Sequence, residues 1–452
     1  MHFLKARKGF YHELRVLVIP IVLQSLITSA VSMADVVMLG RYEQTALSAS
    51  SLAGQVQFLL NIVFFGLASA VTILASQYWG KRDNKTISKI LGIGLIISIV
   101  ICTIATVCAF FIPERVIGIW TNIPSLQKEG AKYLRFVALS YFFAGLSQPY
   151  LAIMKSCERV MLSTAISFTT LWANIILNAC LIFGLGPFPE LGIVGAALAT
   201  SIVRALELAI CIFDFYRQKV IPRSIINMFR IPKFLVSDFV KYCLPAFIND
   251  ALWALAFNMN SVIMGHLEEE IVAANSIVTV ARDLVSVTGF GISAAASIML
   301  GKTIGENRLK DARSDASMIM RVAIAVSIIQ GVILLAATPF IPGFVTLTSK
   351  AAHYLEIMLI ISTVYQMGQV INTLLIASLF RCGGDSKYGM ILDIVSMWGF
   401  AVPLGLISAF VLKLPPIIVY ALMCTDEFAK MPFAIWHYKK GNWIKNLTRE
   451  ET

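Results

Sequence analysis

The chain has 452 residues, 58% of them hydrophobic and 14% charged, with a mean hydropathy of +0.78 and a formal net charge of +11. A soluble domain carries about 25% charged residues, so the natural solvent of this chain is a bilayer. The basic excess lies in alternate loops rather than in one patch, which makes it a matter of topology and excludes a nucleic-acid partner.

The N-terminus carries Lys5, Arg7, Lys8 and Arg15 and no small-residue cleavage site, so the first apolar segment is predicted to be a retained helix. Stretches long enough to cross a bilayer, roughly 20 residues each, are predicted near 14–38, 52–78, 90–112, 131–154, 161–185 and 192–215. The connection 216–239 follows, with Pro222, Pro232 and the cations Arg217, Lys219, Arg223, Arg230, Lys233 and Lys241 in and around it. Six more stretches are predicted near 240–264, 272–299, 316–340, 353–378, 389–411 and 415–437. The chain therefore reads as an all-α integral membrane protein of twelve transmembrane helices. Its expected organisation is an N-terminal lobe over 1–215, a cytoplasmic linker over 216–239, a C-terminal lobe over 240–437 and a cytoplasmic tail over 438–452.

Cations recur on one side, at Lys81, Arg82, Lys85 and Lys89 and again at Lys302, Arg308, Lys310 and Arg313, whereas the opposite loops are poor in cations and include Glu268, Glu269 and Glu270. The positive-inside rule then places both termini in the cytoplasm. Eight cysteines lie mostly within apolar segments or at their ends with no CxxC pair, which predicts buried thiols, no disulfide framework and no metal signature.

The start of the chain is repeated 225 positions later without a gap: Pro20 recurs as Pro245, Gly40 as Gly265, Glu43 as Glu268, Ala49 as Ala274, Gly66 as Gly291 and Gly80 as Gly305. A repeat of about half the chain is far longer than a solenoid unit and is a signature of secondary transporters. An even number of crossings per half makes the two repeats parallel. One acid breaks the symmetry, because Asp35 recurs as Asn260.

An ionisable group at membrane depth costs at least a few kcal/mol and usually serves a function. Gln24, Thr28 and Asp35 share one face of the first helix, and Asn249, Trp253 and Asn260 share the matching face in the second repeat. Pro20 removes a backbone donor and is predicted to bend the first helix. Asn174 and Asn178 lie one turn apart, and their amide oxygens beside a carboxylate would suit Na+ or would tune a carboxyl for proton exchange. The alternative for Asp35 is an interfacial ion pair with Arg41; for the two asparagines it is an interhelical hydrogen bond. In the second half Asp250, Asp283, Asp393, Asp426 and Glu427 are candidate cavity acids, with internal ion pairs to Arg282 or Lys430 as the plainer reading. Asp250 one turn from Trp253 is a plausible seat for an organic cation. Arg204 and Glu207 are expected to pair with each other.

Several motifs together resemble the multidrug and toxic compound extrusion (MATE) family in its bacterial, Gram-positive-like branch, over nearly the whole chain. They are Asp35-Val-Val-Met-Leu-Gly40 with Ala46-Leu47-Ser48-Ala49, Gln77 with Gly80, Gly184-Leu-Gly-Pro187 with Leu191-Gly192 and Gly195 through Thr200, and Pro245 with Asn249, Asp250 and Trp253. Arg381-Cys-Gly-Gly-Asp385, Pro403-Leu404, and Asp426-Glu427 with Lys430 complete the set. The resemblance implies a V-shaped, two-lobed exporter of organic, often cationic compounds in exchange for Na+ or H+, monomeric and without a cofactor. It places the coupling ion at Asp35, with Asn174, Asn178 and Thr200 as partners and Pro20 as the bending point. Some members carry a second acid where this chain has Asn178, so the identity of the ion stays open. The implied location is a bacterial inner or plasma membrane.

Rival readings are a flippase for lipid-linked saccharides, which would need more cations deep in the bundle than Arg204 and Arg282, a channel, and a membrane-embedded enzyme. Against the last, HExxH and GxSxG are absent, and His2, His12, His266, His353 and His437 fall at helix ends or in loops.

Overall fold

Every regular element among the described residues is helical. A computed structural model describes residues 9–449, apart from 43, 120, 122, 345 and 346. The first half contains α1 (Phe10–Tyr42), α2 (Gln44–Gly80), α3 (Asn84–Phe111), a short α4 (Pro113–Ile117), α5 (Pro124–Ser156), α6 (Val160–Phe183) and α7 (Gly192–Arg217). Two short connecting helices follow, α8 (Ile225–Met228) and α9 (Lys233–Asp238). The second half contains α10 (Leu244–Gly265), α11 (Glu269–Gly305), α12 (Leu309–Ala337), α13 (Ser349–Asn372), α14 (Ser386–Ser396), α15 (Val402–Leu406), α16 (Pro416–Met423) and α17 (Asp426–Lys440).

Local chemistry marks several of these boundaries. Asp83 starts α3 by accepting from the Thr86 backbone N–H at 3.1 Å and from its hydroxyl at 2.6 Å, and Thr348 starts α13 by accepting from the Ala351 N–H at 3.2 Å. Gly184 ends α6 with φ +66°, where any Cβ would press on Glu190.

Ten helices among the described residues are long and apolar enough to cross a membrane. Two of the twelve predicted stretches fall outside that set for separate reasons. Asn249, Asp250, Asn258 and Asn260 make α10 too polar, although it has 22 residues. The stretch 415–437 is broken at Cys424 and Thr425 into α16 and α17, and α17 opens directly with the acids Asp426 and Glu427. Wide π-turns at Thr373–Phe380, Met397–Ala401 and Ile407–Val411 carry the chain from α13 toward Arg381 and join α14 to α15 and beyond.

The chain gathers into two compact units. One comprises the chain up to Val22, Ser76–Arg82 and the chain from Asp238 onward; the other comprises Leu23–Ala75 and Asp83–Ser237. In the second of these, α5 packs on α3 and α7, and α6 on α7, around Phe64, Leu134, Val137, Tyr141 and Ala197. In the first, α11 packs on α12 and α13 around Ile263, Leu355, Leu359, Val419 and Met423. The α1 helix leaves the first unit just beyond Pro20, between Val22 and Leu23. All eight cysteines are free thiols.

Candidate functional site

In the unit formed by Leu23–Ala75 and Asp83–Ser237, the central relationship is between α1 and α6. Asn178 donates through Nδ2 to Asp35 Oδ1 at 2.5 Å and to Asn174 Oδ1 at 3.0 Å. Helical periodicity stacks the two amides on one face of α6, and both are buried, at 2% and 0% exposure. Among the described residues the Oδ1 of Asn178 has no hydrogen-bond partner, an unusual state for a buried acceptor. A carboxylate, a second amide oxygen and this unpaired oxygen thus lie together, all hard oxygen ligands. Thr200 bonds back to the Ala196 carbonyl at 3.0 Å within α7, and Tyr133 of α5 interacts with both Thr200 and Asp35. Among the described residues no cation forms an ion pair with Asp35. Arg204 pairs with Glu207 at 2.7 Å, and Glu207 also accepts from Ser147 at 2.6 Å and Gln148 at 3.1 Å.

Gln24 and Thr28 lie on α1 as the helical spacing requires, and the Thr28 hydroxyl donates to the Gln24 carbonyl at 2.9 Å. They share the helix with Asp35, but no hydrogen bond joins either side chain to it among those resolved.

The other unit holds two buried ionic clusters. Arg381 takes Asp250 with two prongs, at 2.6 and 2.9 Å, and both side chains are 10% exposed or less. Lys430 is ringed by three acids, Asp393 and Glu427 at 3.0 Å each and Asp426 at 3.9 Å. Two amides complete the ring: Asn249 donates to Asp393 at 3.0 Å, and Asn372 donates to the Glu427 carboxylate and carbonyl at 2.7 Å each. Buried carboxylates are tolerable when paired and hydrogen-bonded in this way. Trp253 lies one turn beyond Asp250 on α10 and stacks on Phe257, with ring centroids 5.7 Å apart and planes at 15°. Asn260 is partly buried on α10, and Asp283 is exposed on α11.

The candidate residues therefore separate into an Asp35, Asn174, Asn178 group and a Lys430 group with Asp393, Asp426 and Glu427, while Asp250 is held by Arg381. Three participants escape a sequence reading. Arg381 follows a π-turn, so helical counting does not point it at Asp250, and Asn372 sits at the same irregularity. Tyr133 is one of thirteen tyrosines and carries no local mark. Lys430 did have a signal, being three and four residues beyond Glu427 and Asp426.

Comparison with known proteins gives the family of the chain. The MatE family model matches residues 20–180 and 245–407, two segments whose starts are offset by the same 225 positions as the repeat. Among curated relatives, the uncharacterized transporter YisQ of Bacillus subtilis is 22% identical over 417 residues, covering 91% of this chain and 90% of its own. A probable multidrug resistance protein NorM of Listeria innocua is 23% identical, covering 85% of each chain. Multidrug resistance protein PmpM of Pseudomonas aeruginosa is 22% identical, covering 94% of this chain and 87% of its own. Among solved structures, the Vibrio cholerae MATE transporter VcmN in the bent form superposes with a TM-score of 0.84 at 15% identity, covering 97% of this chain and 99% of that one. The eukaryotic MATE transporter AtDTX14 gives 0.82 at 17% identity, covering 96% and 98%. The duplicated, multi-pass, all-helical chain is thus a member of the MatE family of membrane transporters, which are not enzymes.

Proposed function

We propose that the protein is a secondary antiporter that expels organic, often cationic, amphipathic drugs across a bacterial plasma membrane in exchange for Na+ or H+. In this reading both termini are cytoplasmic, the protein acts as a monomer without a cofactor, and the two halves form lobes joined by 216–239. Relatives named as multidrug resistance proteins support the substrate class.

One observation carries the coupling role, namely the Asp35 carboxylate held by Asn178 with a free buried amide oxygen beside it. That arrangement offers an ion or proton a set of oxygens at membrane depth, with Asn174 as the third contributor and Thr200 nearby. Coupling requires that ion and drug each bind two conformations with different affinity. Pro20 provides the natural bending point, since α1 passes between the compact units just after it. The candidate substrate contacts in this reading are, each within its own unit, Gln24 and Thr28 of α1, and Trp253 and Asn260 of α10 with Asp283, where the ion-paired acids Asp250, Asp393, Asp426 and Glu427 set the charge of the surroundings.

Dye efflux from energised vesicles, with Na+ and H+ gradients imposed separately, identifies the ion. Asp35→Asn copies the residue of the other repeat and is expected to abolish gradient-driven efflux while leaving expression intact. Normal ethidium efflux by that variant would sink the assignment. The flippase reading is less favoured because Arg381 and Lys430 are fully engaged by acids and offer nothing to a pyrophosphate.

A further inference from the structure

One partly buried cation at membrane depth has no acid of its own among the described residues. Arg282 lies thirteen residues into α11, roughly 20 Å along its axis at 1.5 Å per residue, within the span Glu270–Gly305. An arginine at that depth is costly unless an anion or water meets it. Among the described residues no carboxylate comes within ion-pair distance of its guanidinium. The buried acids of the same unit are engaged elsewhere, Asp250 by Arg381, and Asp393, Asp426 and Glu427 by Lys430. Asp283, the next residue in the chain, points about 100° away around the helix.

Aromatic groups hold Arg282 instead. Its guanidinium sits 4.2 Å from the Tyr365 ring centroid and 5.9 Å from that of Phe257, and Nη1 donates to the Tyr420 hydroxyl at 3.4 Å. Tyr420 is in turn fixed by Ser362 at 2.7 Å, and Gln366 ties down the Arg282 carbonyl at 3.1 Å. The residue is thus positioned, yet only one of its five N–H donors has a resolved acceptor, and that bond is long. The stacked rings of Trp253 and Phe257, with Phe290 edge-on to Trp253 at 6.4 Å, extend the aromatic wall along α10.

A cleft of about 250 Å³ between α10 and α11 is lined by Asn275, Ser276 and Thr279 among others. Asn275 and Thr279 lie seven and three residues before Arg282, on the same face of α11.

We propose that Arg282 is the anion-binding point of a substrate subsite, taking the carboxylate of an anionic or zwitterionic amphiphile whose rings lie against Trp253, Phe257 and Tyr365. The inference rests on the efflux reading for its biological use, but the binding it describes stands apart from transport. A guanidinium matches a carboxylate with two parallel hydrogen bonds, and stacking on Tyr365 leaves its edge free to make them. A single guanidinium suits one carboxylate rather than a polyphosphate.

The test is calorimetric binding of a fluoroquinolone with a free carboxylate and of its ethyl ester to purified full-length protein, in detergent free of anionic lipid. The wild type is expected to favour the acid by about tenfold to a hundredfold, the scale of hydrogen bonds to a charged group. Arg282→Gln should bring that ratio to near one, and Arg282→Lys should leave it between the two. A purely bracing role, or a role as remote counter-charge to the Lys430 cluster, would weaken both ligands together and leave the ratio intact, which overturns the proposal. Equal binding of acid and ester by the wild type, or binding of neither, overturns it as well. If the acid preference is found and lost as expected but vesicles export neither compound, the efflux reading fails and the subsite stands.

Discussion

Gly80 and Gly305, 225 positions apart, each lie against the backbone three residues before the other: a Cβ on Gly80 would overlap the Lys302 carbonyl oxygen, and one on Gly305 would overlap that of Gln77. Gly301 meets the Ser76 side chain in the same crossing, and 301 is the repeat counterpart of 76. The ends of α2 and α11 therefore cross through a reciprocal small-residue contact, the kind that lets helix backbones approach in a membrane. Gly80→Ala and Gly305→Ala are each expected to destabilise by about 1–3 kcal/mol, as forced overpacking does. Gly54→Ala serves as the control, because nothing lies within 4 Å of a Cβ there. Thermal unfolding in detergent should lower the midpoint for the first two variants and leave the third unchanged or slightly raised.

Arg381 and Asp250 bury a two-pronged pair, so removing one partner strands the other. Asp250→Ala should cost about 3–5 kcal/mol, the usual result of leaving a buried charge uncompensated, whereas replacing both partners by apolar residues should recover much of the loss. The same unfolding measurement on single and double variants decides this. A single variant as stable as the double one would show that the pair is not coupled.

The fold was readable because a bilayer imposes a coarse and regular signal: apolar length, loop charge and the 225-residue repeat each survive without knowledge of any contact. Asp35 and its amides were readable for the same reason, being polar where the surroundings are apolar. The partners of the second-half acids were not. Helical spacing indicated Lys430 near Asp426 and Glu427, but Asp393 reaches Lys430 across 37 residues, Asn249 reaches Asp393 across 144, and Arg381 reaches Asp250 across 131. Such pairings depend on tertiary packing and on π-turns that shift the helical phase. The break at Cys424 and Thr425 carries neither Gly nor Pro, so no helix-breaking residue marks it.

Lys430 neutralises a ring of three carboxylates, which predicts a pH-dependent penalty when it is removed. In Lys430→Met the acids would face one another without a cation, and the native state would gain from binding protons more than the unfolded chain does. Stability should then fall as pH rises, following the linkage between proton uptake and folding. The difference in unfolding midpoint between variant and wild type is expected to be larger at pH 8 than at pH 5. A difference independent of pH would mean that lost packing, not charge, dominates.

Gln77 fastens the end of α2 to the C-terminal segment. Its Nε2 donates to the Cys382 carbonyl at 2.6 Å and to the Lys445 carbonyl at 3.1 Å, and its Oε1 accepts from the Leu447 N–H at 2.7 Å. Trp443 and Leu447 are buried beside it, so the segment 441–449 is held by apolar contact as well as by hydrogen bonds. Gln77→Ala leaves three backbone groups without their partner, and Gln77→Glu is expected to be worse, because a carboxylate places charge against two carbonyl oxygens that need a donor. Hydrogen exchange read by mass spectrometry should rise over 443–449 and at the end of α2 in both variants, more in the second. Exchange unchanged over 443–449 would show that Trp443 and Leu447 hold the segment without Gln77.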